Sequence, residues 1–473
     1  MYGDGFFRND MKILLVNPYC LSDSVTLPLG LAFLSSAVRD IAEVTIKDFI
    51  KEDLSKVSAL EAVLEQGDYD LVGFKTLHAN YMLVKRYLDM MKQQFPHITT
   101  VVGGPQASIM RSEMLELYQD TVDFVISGEG EISFRKLCLV LQQHHFKPET
   151  IPPEALSDIS GLSAIADGQV INNPIELCDD IGQYRIDWDV LGPDTYPPLP
   201  HAAFARRFPV TSISVSRGCP YHCTFCAAFK IFGRRVRYRS ADVVLDEMEY
   251  LIGKYRFKEF QVIDDNFSFD KRYVMEFCQK LLDRKLDILW SLPNGTRLDN
   301  LDDEMLDIMK RSGLYSLSVG IESGSERILK LMRKKLDLPR VPERLALIKR
   351  HGIEMAGFFI MGYHTETAEE ILQTIQFALS IPLDRAQFML FHPYPGTEAY
   401  EQVKDHLVYD ADTTFAEVAY VPDTLTEKEL KRLQRRSFLR FYLRPRILFK
   451  LVTDILRMRG KRYIIKRMIR WLS

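Results

Sequence analysis

No run of about 18 or more apolar residues occurs in this chain, so no segment predicts a helix that spans a bilayer. The opening residues, MYGDGFFRND, are too polar for the apolar heart of a secretory signal. Cysteine is sparse: 7 in 473 residues, an odd count. That excludes a disulfide scaffold and predicts a reducing compartment, the cytoplasm, where clustered thiols bind metal or do chemistry. No repeat of roughly 20–50 residues recurs, which excludes solenoids and propellers. With 47% hydrophobic and 26% charged residues the chain is neither disordered nor fibrous. One sign of charge is nearly absent from its end. Residues 425–473 hold 16 Lys and Arg against 3 Asp and Glu, whereas the whole chain carries −3. The first 424 residues therefore carry −16.

Four regions follow from the pattern. In residues 1–145, short apolar runs at 11–18, 42–49, 69–76, 98–105 and 123–131 alternate with helical patterns. This predicts α/β architecture with a doubly wound, Rossmann-like parallel sheet. Ligands of such sheets bind at the carboxyl ends of the strands. Those ends carry Asn17-Pro18, Thr76, Gly103-Gly104-Pro105 and Gly128-Glu129-Gly130. Residues 146–205 are proline-rich and read as a linker with a small β hairpin turned at Asp167-Gly168. In residues 206–400, six strand patterns, at 211–218, 259–267, 288–295, 314–323, 354–362 and 385–394, alternate with helices. Six β/α units are too few for a closed eight-stranded barrel, so an open, partial (β/α)6 TIM-like barrel is expected. Residues 401–473 read as a helical region, basic in its last part.

The sharpest signal is Cys219-Pro-Tyr-His-Cys223-Thr-Phe-Cys226, directly after a strand and a glycine turn. Three thiolates at this spacing suit an iron–sulfur cluster with three protein ligands and one open iron. A zinc knuckle would need His222 as fourth ligand, but adjacent residues rarely point at one ion. Here the chain resembles the radical S-adenosylmethionine superfamily, whose signature is CxxxCxφC with φ aromatic; Phe225 stands at φ. The resemblance implies a [4Fe–4S] cluster held by Cys219, Cys223 and Cys226. Its open iron would chelate S-adenosylmethionine, which is cleaved by one electron to a 5′-deoxyadenosyl radical. It also implies cofactor contacts at strand ends: Asp264 and Asp265 after the second barrel strand, Asn294 after the third, Glu322 and Ser323 after the fourth. The second strand departs from the superfamily's common Gly-Gly-Glu form. A lone acid at a strand end can equally be a helix cap.

Residues 11–145 resemble a cobalamin-binding domain through Val102-Gly103-Gly104-Pro105 and Val125-Ile126-Ser127-Gly128-Glu129-Gly130-Glu131. The resemblance implies corrin contacts at Gly103, Gly104, Gly128 and Glu129. The Asp-x-His-x-x-Gly motif that supplies a histidine to cobalt is absent, as it is from many members of the combined family. His78 ends the third strand and is assigned no metal. Over about 11–400 the chain thus resembles the cobalamin-dependent radical S-adenosylmethionine enzymes. The expected reaction is radical methyl transfer to an unactivated carbon of a biosynthetic intermediate. The alternatives are oxidative cyclisation or rearrangement, as in the anaerobic magnesium-protoporphyrin ester cyclase, and a non-catalytic cobalamin or redox sensor. No catalytic side chain is assigned.

The expected partners are a small-molecule, lipid or pigment-like substrate and an electron donor of flavodoxin or ferredoxin type; nucleic acid is disfavoured. In the tail, Ile447, Leu448, Leu451, Val452, Ile455 and Leu456 recur at helical spacing. The ordinary expectation is that this helix packs its stripe on the core. The alternative is a peripheral contact at the inner face of a membrane.

Overall fold

The structure is a computed structural model, described for residues 11–20, 25–118, 121–197, 205–408 and 418–457. Five strands build the first sheet: β1 (Met11–Asn17), β2 (Ala42–Asp48), β3 (Leu71–Lys75), β4 (Thr99–Gly103) and β5 (Phe124–Ile126). All five run parallel in the order β2-β1-β3-β4-β5. The central strands are near-continuous apolar runs because helices cover both faces, whereas the edge strand β2 alternates and is only half-buried. Along β1, Ile13 and Leu15 join one apolar cluster while Leu14 and Val16 join another, the two sides of one pleated sheet. Strand order reverses between β1 and β3, which opens a crevice at their carboxyl ends. This is the doubly wound sheet the sequence predicts.

The hairpin in the proline-rich stretch, β6 (Leu162–Ala166) and β7 (Gln169–Asn172), adds antiparallel to β5. It extends the first sheet to seven strands. Later in that stretch, Trp188 and Leu191 join the apolar core of the second domain.

The second domain contains β8 (Val210–Ile213), β9 (Ser216–Arg217), β10 (Arg237–Tyr238), β11 (Glu259–Val262), β12 (Leu289–Thr296), β13 (Leu314–Glu322), β14 (Glu354–Met361) and β15 (Arg385–Leu390). Strands β8 and β11 to β15 pair in sequence order, all parallel. Among the described residues β8 and β15 do not pair with each other, so the barrel is open and partial. Strands β9 and β10 form a separate two-stranded ribbon. The intervening helices start on side-chain caps: Ser240, Asp270, Asp302, Ser325 and Thr367 each accept a backbone N–H of the first turn.

Two helices follow. Glu427–Tyr442 buries Leu430, Leu433, Ser437 and Phe441 against the helix Ala368–Ser380 and β15. It also closes the barrel's edge: Gln434 donates to the Phe388 carbonyl at 2.8 Å and the Tyr442 hydroxyl to the Ala386 carbonyl at 2.8 Å. An edge strand with free carbonyls is thereby covered. The helix Pro445–Arg457 corrects an expectation. Ile447 is buried, but Leu448, Phe449, Val452 and Leu456 are exposed, while Lys450 and Asp454 turn inward toward Glu354 and Arg385. Four fixed charges on the barrel (Arg206, Glu354, Asp384 and Arg385) already occupy that surface, so the helix docks through ion pairs. The basic residues from 458 onward lie outside the described residues. No described helix is long and apolar enough to cross a membrane.

Candidate active site at the facing strand ends

The three-cysteine loop leaves β9 through Gly218, whose φ is +94°. A Cβ there would stand 2.3 Å from the Arg235 carbonyl oxygen, so only glycine lets the loop start. Cys219 N–H donates to the Gly233 carbonyl at 3.2 Å. At the other end Thr224 N–H donates to the Met332 carbonyl at 3.1 Å, and the Thr224 and Tyr363 hydroxyls lie 2.7 Å apart. Phe225 packs against Ile328, Met332, Ile360, Tyr363 and Phe391. The signature aromatic thus anchors the loop to the barrel.

Cys219, Cys223 and Cys226 are free thiols and partly buried. Burial pushes the Cys226 thiol up to about 12 and raises Cys219, and the negative charge of Asp265 adds to both. Thiols raised this way need a cation to become thiolates, which a cluster's iron provides. Among the described residues no three His, Cys, Asp or Glu side chains converge on a single-ion site. Three thiolates that each take a different iron of one cube have no need to converge. The donor set therefore fits a cluster.

The barrel's strand ends surround this loop. Asp265 is exposed to water, yet the protein around it pushes its carboxyl up to about 6. Its neighbour Asp264 has another task. Both its oxygens are engaged, by the N–H groups of Val215 and Ser216 at 2.8 and 2.7 Å and by the Ser216 hydroxyl at 2.7 Å. It ties β11 to the segment that leads into the cysteine loop. Asn294 donates to the Ile263 carbonyl at 2.5 Å. Glu322 sits at φ +68°, unusual for a residue with a Cβ, and pairs with Lys334 at 2.7 Å in a buried position. Ser323 is fully buried and faces Thr374 at 3.2 Å, behind the strand end. Arg297 lies 3.9 Å over the Tyr221 ring and donates to the Lys334 and Lys335 carbonyls at 2.6 and 3.0 Å. It brings a fixed cation next to Cys219.

Across from the barrel stand the carboxyl ends of the first sheet. Gly104 has φ +95°, and a Cβ there would lie 3.0 Å from the Thr76 carbonyl oxygen. Thr76 N–H and hydroxyl both donate to the Gly103 carbonyl at 2.7 Å, locking the ends of β3 and β4 together. Gly128 N–H donates to the Ser108 hydroxyl at 2.9 Å. Glu129 lines a pocket with Glu131, Cys178 and Arg217, but its carboxylate is engaged by protein groups. It is buried at the junction of the two domains, paired with Arg237 at 2.7 Å and Arg217 at 3.3 Å. Glu131 takes Arg217 at 2.5 Å.

A second junction joins His78, after β3, to His392 and Tyr394, after β15. Ring centroids of His78 lie 5.3 Å from His392 and 6.1 Å from Tyr394. Burial lowers both histidines, His392 to about 4, and keeps them neutral. Sequence reasoning passed over Lys334, Arg237, His392 and Tyr221. Only Arg237 left a trace: Arg235, Arg237 and Arg239 alternate along a strand, an odd pattern for solvated charges, and Arg237 and Arg239 are indeed buried.

The fold and the site define a two-domain α/β enzyme with a thiol-lined open barrel turned toward the glycine-rich edge of a ligand-binding sheet. Residues 213–378 match the Radical SAM superfamily and residues 22–138 the B12 binding domain. An uncharacterized methyltransferase of Pyrococcus horikoshii is 31% identical over 475 residues, covering 98% of each chain. The anaerobic magnesium-protoporphyrin IX monomethyl ester cyclase of Rubrivivax gelatinosus is 26% identical over 446 residues, covering 92% of this chain and 78% of that one. The solved structure of OxsB, a cobalamin-dependent S-adenosylmethionine radical enzyme, superposes with a TM-score of 0.72 at 16% identity, over 97% of this chain and 75% of its own. The chain belongs to the cobalamin-binding radical S-adenosylmethionine enzymes. Its cofactors are a [4Fe–4S] cluster, S-adenosylmethionine and cobalamin.

Proposed function

We propose that this enzyme transfers a methyl group, by radical chemistry, to an unactivated carbon of a small-molecule biosynthetic intermediate. The observation that carries this reading is the opposition of two strand-end edges, one built around three thiols and the other around Gly103-Gly104. When bound, the cofactors supply a hydrogen-abstracting radical on one side and a methyl group on the other. The protein holds, orients and shields them. Cys219, Cys223 and Cys226 are the cluster's ligands. Asp265, Asn294, Arg297 and Glu322 are the residues that would hold S-adenosylmethionine beside the cluster; the buried Lys334 fixes Glu322, and Asp264 and Ser323 position the backbone behind them. The edge formed by Thr76, Gly103, Gly104 and Gly128 takes the corrin. The neutral His78 and His392, with Tyr394, close the crevice between the domains and keep water out. A flavodoxin- or ferredoxin-type protein is the electron donor, and nucleic acid has no part.

Oxidative cyclisation is the second reading, favoured by the likeness to the Rubrivivax cyclase over 92% of this chain. The test is anaerobic reconstitution with iron, sulfide and cobalamin, then S-adenosylmethionine, a reductant and candidate substrates. Formation of both 5′-deoxyadenosine and S-adenosylhomocysteine is expected. 5′-Deoxyadenosine alone would turn the assignment to cyclisation or rearrangement. Neither product, with cluster and corrinoid verified, would refute both and leave a sensor.

A further inference from the structure

We propose that the two C-terminal helices form a docking surface for an anionic lipid bilayer. The first observation is the inverted helix Pro445–Arg457. Its inner side buries Ile447, half-buries Leu451 and Ile455 and holds Lys450 paired to Glu354 and Asp454 near Arg385, while Leu448, Val452 and Leu456, spaced four apart, line one outer face with Phe449 beside them. Phe449 is 73% exposed and Leu456 65%. A helix held to its own protein by one buried isoleucine and a ring of charges, and showing a row of large apolar side chains to the outside, is built for a second surface.

The second observation is independent and lies on the helix Glu427–Tyr442. Arg432, Arg435, Arg436 and Arg440 are all exposed and share one helical face at three- and four-residue spacing. Leu439 and, just beyond the helix end, Leu443 are exposed on the same side, Leu443 at 62%. Arg435, Arg436 and Arg440 make no ion pair among the described residues. Nearby acids thus leave these cations available for an external anion.

Charge selects the occupant. Residues 425–473 carry +13, so tail-to-tail pairing of two copies would be repelled; docking on a second copy's acidic body is an outcome of the test below. The first 424 residues carry −16 and would be pushed away from an anionic surface while the tail is drawn to it. The molecule is therefore oriented, tail toward the surface and acidic body away. A bilayer meets both demands at once: phosphates for the arginines, and an acyl boundary for Phe449, Leu448 and Leu456. Lipid binding requires neither cluster nor substrate, so the proposal stands apart from the reaction assigned above.

The test is co-sedimentation of the full-length protein with vesicles of phosphatidylcholine alone, or with about a quarter phosphatidylglycerol. Binding is expected to the anionic vesicles at low salt, weakening as salt rises, and not to the neutral ones. Each arginine near such a surface is worth about fivefold in partitioning. Arg435→Gln/Arg436→Gln/Arg440→Gln should thus lose about a hundredfold, with the circular dichroism and iron content of the native protein. Phe449→Ser/Leu456→Ser should weaken binding about tenfold or more while keeping its salt dependence. No binding of native protein to anionic vesicles would overturn the proposal, whether the cause is a cover formed by residues 458–473 or by a second copy. So would native-like binding by the serine variant, which would mark the patch as a site for a polyanion such as an acidic protein or RNA.

Discussion

Replacing Glu129 by Gln should cost the folded protein about 3–5 kcal/mol, the usual loss when one partner of a buried ion pair is neutralised. Its side chain is 2% exposed. One carboxylate oxygen accepts from Arg237 at 2.9 Å and Arg217 at 3.3 Å; the other accepts from Arg237 at 2.7 Å and from the Cys178 N–H at 2.9 Å. Glu131 supplies the second negative charge through Arg217. Two acids thus balance two arginines in a largely buried junction. Glutamine fits the space but removes one charge, and Arg237, itself 4% exposed, has no other carboxylate to turn to among its contacts. Arg237→Met should cost a similar amount. The double variant restores neutrality, so its loss should fall short of the sum by about 2 kcal/mol or more. Urea titration followed through Trp188 and Trp290, both buried in the barrel core, reads the effect. A single-variant loss below about 1 kcal/mol, the level of an exposed pair, would refute the reasoning. So would strict additivity in the cycle.

Three further outcomes are expected. Cys219→Ala, Cys223→Ala or Cys226→Ala should each abolish most iron binding and the visible charge-transfer absorption, whereas Cys138→Ala and Cys278→Ala, buried in helices, should keep both; a full cluster in any of the first three would overturn the ligand assignment. Gly104→Val should lose cobalamin binding measured by equilibrium dialysis. Because its φ is +95° and the Thr76 backbone is 3.0 Å away, it should also destabilise the first domain by about 1–3 kcal/mol while the cluster still assembles. Normal cobalamin retention would sink that reading. Glu366 is fully buried and pushed up to about 8 by burial. The folded protein then holds a proton that the unfolded chain releases above its ordinary carboxylate range, near pH 4.5. Stability should fall with rising pH between about 4.5 and 8, by up to about 1.4 kcal/mol per unit. Glu366→Gln should flatten that slope in urea titrations across the range; an unchanged slope would show that Glu366 is ionised in the folded state.

Much of this protein was decided locally. A strand such as Met11–Asn17 is apolar on both faces and can only be a covered strand, and the alternation of such runs with helices specifies parallel sheets before any contact is known. The order of β/α units places Gly103-Gly104 and Cys219–Cys226 at carboxyl ends, because parallel strands with right-handed crossovers all end on one side. The thiol spacing is itself chemistry, legible from one line of sequence. Other facts exist only once distant segments meet. Asp264 and Asp265 are adjacent and alike in composition, yet one is consumed by the backbone of residues 215 and 216 and the other faces the thiols; only the packing of β11 beside β8 separates them. Glu129 sits in a glycine turn that looks made for a ligand, and its partners Arg217 and Arg237 lie 88 and 108 residues away. The tail helix has an amphipathic pattern that states which residues share a face but not which way that face turns. The fold split it: Ile447 went into the barrel core, while the charges already present on the barrel, Glu354 and Arg385 among them, took Lys450 and Asp454 and left Leu448, Val452 and Leu456 outside. Periodicity is a property of one chain segment; orientation depends on the electrostatics of the surface it meets, and that surface is assembled only by the tertiary fold.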